Sequence, residues 1–348
     1  MDARSIIRVI LRANVESKPL QNINTIKLAT FNLCNFAAPP FAFYEMDNIY
    51  TAQQWTQKTR WLEQTLRLLD ADIIAFQEVF SADTLRMHLN KLGYHYFYLN
   101  QESHIEADYI YSEPSLAFAS RFPLTQQAHL PFLAAAVGEF SRPPLHVTLD
   151  IGNGHNIDLY NVHLKSQRPA SDILDPSLES TVDQWLNELH ASCASTQLRQ
   201  TEVLSLHNAI VTRKKATHNP AVLLGDFNNN LDAIEFSPLR SSHLRRHPLS
   251  ASAIFPYTLL DSWAVFQQQQ ASPDAASPIT HYYGAKGNRL DHILLSPEFD
   301  IGHAHSLFEL QNYQLIDKHI IDPRFGDDDV STDHAIVSIT LKRRGERE

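Results

Sequence analysis

Short apolar runs with β character recur along the chain, and each meets a polar residue abruptly at one end. Ile26–Phe31 stops at Asn32, Ile73–Phe76 at Gln77-Glu78, Ile157–Val162 at His163, and Ala221–Leu224 at Gly225-Asp226. For Ile293–Leu295 and Ala335–Leu341 the order reverses, with Asp291-His292 and Asp333-His334 standing in front. Runs of this length read as buried strands. Helical periodicity lies between some of them. From Trp55 to Leu69, the residues Trp55, Leu62, Leu66 and Leu69 keep one face apolar, while Gln54, Lys58, Arg60, Glu63 and Arg67 cover the rest. Val203, Leu206 and Ile210 repeat the pattern between Leu198 and Ile210. Strand-rich segments with a few interleaved helices predict a layered α/β or α+β sandwich whose sheets are covered by helices.

A chain of 348 residues buries a large core. Residues 167–195 are acidic and carry Pro169 and Pro176, residues 240–256 are basic and rich in Ser and His, and residues 267–280 hold a Gln run; all three read as surface insertions. None has the composition of a linker between independent cores. The expected plan is therefore an extension over 1–24, a single domain over 25–342 and a tail over 343–348. The apolar patch Ser5–Leu11 is broken by Arg8 and is too short for a signal peptide. Nothing approaches the roughly 20 apolar residues of a membrane span. The chain thus reads as soluble and cytoplasmic, with no stable membrane association.

Charge narrows the chemistry. Lys plus Arg total 29 against 39 Asp plus Glu, a net −10, which disfavours nonspecific polyanion binding. A phosphate substrate stays compatible if carboxylates hold a divalent cation. Cys34 and Cys193 are the only cysteines, so there is neither a disulfide framework nor a thiolate zinc site. The residues welded to the strand ends are Asn32, Glu78, His163, Asp226, Asn228, Asp291, Asp333 and His334. Ionisable groups at such edges are expensive to desolvate unless paired, hydrogen-bonded or metal-bound. Gathered at one rim, they suit a hard, oxygen-coordinated cation, Mg²⁺ or Mn²⁺, better than zinc. Taken singly, each has a blander reading. His163 alone reads as a hydrogen-bonded rim residue, His281 and His292 as incidental among 18 histidines, and Gly225–Asn228 as a turn. Asp291 reads equally as a strand cap or a partner for Arg289.

The motifs in order outweigh these readings. LATFNLCNF (28–36), DIIAFQEV (72–79), LAFASRFPL (116–124), LYNVHLKS (159–166), LLGDFNN (223–229), LLDSW (259–263), NRLDHILLS (288–296) and STDHAIVSITL (331–341) follow one another along the chain. In this series the sequence resembles the endonuclease/exonuclease/phosphatase superfamily. The resemblance implies a four-layer α/β sandwich, with two mainly antiparallel sheets packed face to face and helices outside. It also implies a metal-dependent phosphodiesterase acting on nucleic acid by water attack. A phosphatase, a phospholipid or sphingomyelin-type diesterase, and a catalytically silent binding relative are the alternatives.

Residue by residue, Asn32 and Glu78 match the metal-site positions, with Asp333 as a further ligand. Asp226 and Asn228 match the pair that orients water and phosphate. His163 and His334 match the two catalytic histidines, and Asp261 the carboxylate that orients the second. Tyr111, Arg142 and Lys165 fall where phosphate contacts are expected. Cys34 stands where abasic-site endonucleases carry an acidic metal-site residue, and the Trp-Cys-Asp-Arg signature of 5-phosphatases is replaced by Asn288-Arg289-Leu290-Asp291-His292. The first departure implies a metal site more like that of the deoxyribonuclease and phosphatase branches, and the second lowers the inositol-phosphatase reading while other phosphatases stay open.

Overall fold

The computed structural model describes residues 23–133, 138–242, 244, 246–247, 250–270, 276–303 and 306–344. Almost all of the expected N-terminal extension, and parts of the 240–256 and 267–280 insertions and of the tail, lie outside the described residues. The strands run β1 (Thr25–Phe36), β2 (Ala42–Phe43), β3 (Ile73–Val79), β4 (Tyr96–Leu99), β5 (His104–Glu106), β6 (Ile110–Glu113), β7 (Ser115–Ser120), β8 (Leu124–Gln126) and β9 (Leu145–Asp150). They continue through β10 (Asn156–His163), β11 (Ala221–Asp226), β12 (Leu260–Asp261), β13 (His281–Tyr283), β14 (Lys286–Asn288), β15 (Asp291–Leu295), β16 (Phe308–Ile316) and β17 (Ile336–Arg343). The α-helices are α1 (Ala52–Leu69), α2 (Ala82–Lys91), α3 (Thr181–Thr217), α4 (Ser237–Arg240), α5 (Ala251–Ile254), α6 (Ser262–Gln268) and α7 (Lys318–Ile321).

One six-stranded sheet has the order β16-β17-β1-β3-β7-β4 and the other β12-β15-β11-β10-β9-β8. Each contains one central parallel pair, β1 with β3 and β10 with β11; their other pairings are antiparallel. A parallel pair needs a long crossover, supplied here by α1 and α3. Both strands of each pair therefore point the same way, and their polar ends share one rim.

Alternation within the strands builds the layers. Leu28, Ile73, Ala75, Leu116 and Phe118 of the first sheet meet Val147, Leu149, Leu159, Val222, Leu224 and Ile293 of the second in one core. Their outward neighbours Phe31, Ile74 and Phe76 pack under Trp61, Leu62 and Leu66 of α1 and Leu85 and Leu89 of α2. Tyr160, Val162, Leu223 and Leu294 pack under Val203, Leu206 and Ile210 of α3. The result is the four-layer sandwich expected from the sequence.

Beneath the rim, a polar pin crosses the core. Asn161 of β10 donates to the Phe76 and Ala117 carbonyls of the first sheet at 2.9 and 3.0 Å and accepts from Gln77 Nε2 at 2.7 Å. An amide with both ends satisfied is tolerated in the interior, and it fixes how the sheets slide on one another.

Helix α3 differs from expectation. It spans 37 residues and absorbs the second half of the acidic stretch 167–195. Pro169 and Pro176 confine the irregular chain to the front of that stretch, and Ser180 caps the helix through the Asp183 N–H at 3.4 Å. No Gly or Pro interrupts 181–217, and acidity near a helix N-terminus favours the helix.

Candidate active site

The rim holds two half-sites, one from each sheet. Asn32 and Glu78 come from β1 and β3, and His163 and Asp226 end β10 and β11, where they face each other in register. Gly225 makes that register possible. A Cβ on it would lie 2.0 Å from the Val162 carbonyl oxygen, and its φ is +148°. β15 runs antiparallel to β11 and puts Asp291 directly opposite Asp226. The Asp333-His334 step before β17 completes the group.

Asp226 is the hub. Its Oδ2 accepts from Asn32 Nδ2 at 3.1 Å and lies 3.4 Å from His163 Nε2 and 3.9 Å from His334 Nε2; its Oδ1 accepts from the Asn228 N–H at 2.8 Å. Burial pushes this carboxyl up to about 7, despite the nearby His334 charge. Burial and the neighbouring Arg142 and His334 charges hold His163 well below the ordinary histidine value, so it is neutral. His334 goes the other way. Burial opposes its charge, but Asp291 and Asp226 together hold it well above the ordinary value. Its Nδ1 donates to Asp291 Oδ2 at 2.9 Å, leaving Nε2 turned toward Asp226.

Asp291, not Asp261, is therefore the carboxylate on His334. Asp261 instead binds Arg289 in a two-pronged pair, with both N···O distances 2.7 Å, and caps α6 through the Trp263 N–H at 3.1 Å. Asn32 sits between Glu78 and Asp226. Its Nδ2 donates to Glu78 Oε1 at 3.2 Å and to Asp226, while its Oδ1 accepts the Cys34 N–H at 3.0 Å. With carboxylates on one side and an N–H on the other, Asn32 braces two acids in this structure. Asn228 is pinned by its Nδ2 to the Leu164 carbonyl at 2.8 Å and holds Asp226 through its backbone.

Glu78 receives the Asn35 N–H at 2.8 Å, and the nearest ion-pair partner among the described residues is the neutral His163, 4.0 Å away. Asp333 lies 3.6 Å from His281 Nε2 and 4.0 Å from His334 Nε2. His281 and His334 outweigh the cost of its partial burial and hold it below the usual carboxylate range. Lys58 lies nearby, its Nζ held by the carbonyls of Cys34, Val330 and Ser331 and its charge felt by Glu78 and Asp333. Burial pushes the Cys34 thiol up, so it stands beside these acids as a neutral thiol. Carboxylate oxygens gathered at one rim, with no thiolate among them, are a donor set that fits a hard divalent ion. Cys34, Asn35, Tyr44, Glu78 and Asn228 all have left-handed backbones, with φ between 50° and 62°. Such strain collects where a constellation is held in place by its surroundings.

These groups open into a cleft of about 900 Å³ that is also lined by Arg142, Arg168 and Lys286. Arg142 lines the cleft, its Nη1 donating to the Leu164 carbonyl at 3.4 Å. Lys165 does not. Its N–H turns to Glu202 Oε2 at 2.7 Å, and its side chain lines a separate cavity of about 500 Å³. Tyr111 is buried between Phe41 and Phe80, with ring centroids 5.0 and 5.5 Å away, and does not line the cleft. Arg168 stands beside a strand-end motif as one of the cations expected near the phosphates, whereas His281, read as incidental, lines the cleft, and neither Lys286 nor the role of Asp291 is expected from the sequence. For Asp291 the local cue puts it at the rim, and the pairing of β15 with β11 puts it on His334.

Residues 29–334 match the Endonuclease/Exonuclease/phosphatase family. The chain belongs to that family of phosphoester hydrolases. No curated protein matches it in sequence at a significant level. Among solved structures, the human Nocturnin catalytic domain with a bound sulfate anion is similar at TM-score 0.56 and 14% identity, covering 94% of this chain and 100% of that one. Truncated Caenorhabditis elegans TDP2 is similar at 0.53 and 14%, with 91% and 97% covered. An AP endonuclease from Archaeoglobus fulgidus gives 0.52 and 14%, with 90% and 98% covered. Identities this low speak for the shared fold alone. Among the described residues, no helix is long and apolar enough to cross a membrane.

Proposed function

We propose that this member of the endonuclease/exonuclease/phosphatase family is a metal-dependent phosphodiesterase that hydrolyses nucleic acid. The observation that carries the reading is the opposite tuning of three neighbours. A buried carboxyl near 7, a neutral histidine and an acid-backed imidazolium converge on one point at the cleft floor. Asp226 orients the attacking water and takes its proton as the new P–O bond forms. Asn32 and the Asn228 N–H hold that carboxylate in place. His334, charged because Asp291 backs it, hydrogen-bonds from Nε2 to a phosphoryl oxygen as the bond to the leaving alkoxide breaks, and the alkoxide takes its proton from solvent water. His163 contributes a neutral N–H on the other side. Glu78 and Asp333 would hold Mg²⁺ or Mn²⁺, which when bound neutralises charge on the phosphoryl group. Arg142, Arg168 and Lys286 supply further positive charge around the phosphates.

The test is a substrate panel with Mg²⁺ and Mn²⁺: plasmid, single-stranded DNA, RNA, abasic duplex, sphingomyelin, inositol phosphates and a chromogenic bis-ester. Cleavage of a nucleic acid at rates above the bis-ester supports the reading. Turnover confined to a lipid or inositol substrate replaces it with the small-ester alternative.

A further inference from the structure

We propose that Tyr283, at the tip of the β13–β14 hairpin, is a stacking platform for an unpaired base. The substrate that the cleft selects is then a single-stranded or frayed segment and not a continuous duplex. This rests on the nucleic-acid reading above and names its substrate class.

The hairpin is short and firmly built. Tyr283 pairs with Lys286 across a two-residue loop, and Gly284 takes the left-handed turn position at φ +58°. At Gly287 the hairpin backbone lies so close to Ile279 that a Cβ there would come within 2.5 Å of the Ile279 side chain. Its base is tied to the catalytic strands. The Ala335 N–H donates to the Thr280 carbonyl at 2.7 Å, and Thr280 Oγ1 accepts from the Leu290 and Asp291 N–H groups at 2.8 and 3.1 Å. His281 forms an antiparallel bridge with His334. The platform is thus coupled through a few bonds to both members of the His334–Asp291 pair.

Its tip is exposed in a way that a packed tyrosine is not. Tyr283 is 82% exposed although it lines the cleft, and Tyr282 beside it is 36% exposed. The hairpin also brings Lys286 to the cleft, and Phe43 and Tyr44 add further aromatic lining. An aromatic ring beside a cation, on a rigid arm at a phosphate-cleaving site, is the arrangement that holds a splayed base and its phosphate together. A base inside a duplex has no free face to offer. The cleft volume of about 900 Å³ and its cations Arg142, Arg168 and Lys286 suit a few nucleotides and not a long groove.

Binding tests this separately from turnover. Fluorescence anisotropy with the full chain carrying Asp226→Asn, in Mg²⁺, would compare a single-stranded oligonucleotide, its abasic counterpart of equal phosphate count, and a blunt duplex. The expected order is the base-bearing strand first, with abasic strand and duplex weaker. Adding Tyr283→Ala should weaken the base-bearing strand roughly 5- to 100-fold and the abasic strand less than twofold, and Tyr283→Trp should restore binding. Equal loss on both strands, no loss on either, or tightest binding to the duplex overturns the proposal. Base-dependent binding by a wild type that cleaves no nucleic acid would overturn the hydrolytic reading and leave the platform standing.

Discussion

Replacing Asp291 and Asp261 by Asn should have opposite consequences, and the difference follows from what each carboxylate faces. Asp291 sits 2.9 Å from His334 Nδ1 at a fully buried position. Asparagine there removes the charge that keeps the imidazole protonated, so the charged hydrogen-bond donor aimed at the phosphate is lost. General acid or hydrogen-bond catalysis of this kind contributes roughly 10²- to 10⁴-fold, and kcat should fall by that much. The fold loses little. An imidazole can shed its proton, so no stranded charge remains, and the cost is about the 1 kcal/mol of one hydrogen bond. Asp261 faces a guanidinium that cannot shed its proton, on a side chain that is 7% exposed. Asparagine there strands a buried cation at roughly 3–5 kcal/mol, while preserving the α6 cap. Its surviving folded fraction should turn over within a few-fold of wild type. Bis-ester kinetics at saturating Mg²⁺, paired with denaturant unfolding, separate the two. Asp261→Asn protein of normal stability with collapsed turnover, beside an active Asp291→Asn, would refute the assignment.

Excess chelator should abolish turnover while leaving the melting temperature nearly unchanged, and Glu78→Gln should raise the Mg²⁺ concentration for half-maximal activity at least tenfold; both are read from metal titrations of rate and melt. With Arg142, Arg168 and Lys286 each meeting a phosphate, single-strand binding by Asp226→Asn protein should weaken with a logarithmic salt slope of roughly −2, and Lys286→Ala should flatten it by roughly 0.7. A slope flatter than about −1 for the unaltered cleft would mean a single phosphate is held. Asp158, remote from the site, gives a pH test of the scaffold: burial would raise it, but His146, Arg213 and Thr148 bring it down to about 2 from 3.8. A depressed carboxylate contributes stability above its unfolded pKa, about 2 kcal/mol here, and that is lost as pH falls from about 4 through 2. Unfolding curves of Asp158→Asn should be lower than wild type at pH 7 and converge with it near pH 2.

Much of this site is written in strand ends, and that is why it could be read. Asn32, Glu78, His163, Asp226 and His334 each follow or precede a run whose only stable place is a sheet, so their height in the fold is set by the run itself. What a run does not encode is which neighbour it acquires. Asp261 and Asp291 carry equivalent local cues, and only the pairing of β15 with β11, across 65 residues of chain between Asp226 and Asp291, decides between them. Lys165 misleads for a related reason. It lies two residues beyond His163, and strand alternation would turn it to the same side, but β10 ends at His163 and Glu202 draws the backbone away. Tyr111 belongs to a small separate sheet, β2-β6-β5, whose aromatic cluster has no periodic signature. The exposed hairpin at 281–288 was invisible because short strands at a tip need no apolar run.

The placement of β17 has a consequence for how the enzyme comes into being. This strand arrives last yet sits inside its sheet, between β16 and β1. A chain emerging residue by residue must hold β1, a 12-residue strand, with one flank unpaired until the far end of the polypeptide returns to it. The return also carries Thr332, which bonds the Asn32 carbonyl across 300 residues, and His334 beside it. Before that moment, Glu78, His163 and Asp226 are already made but lack His334, the hydrogen-bond donor proposed above. Clipping the final strand would do the same to a finished molecule, reopening a sticky edge and removing the imidazolium at one stroke. On the role proposed for His334, turnover and a closed sheet are acquired together, and a chain nicked before β17 is expected to expose a sticky edge and to lack hydrolytic activity.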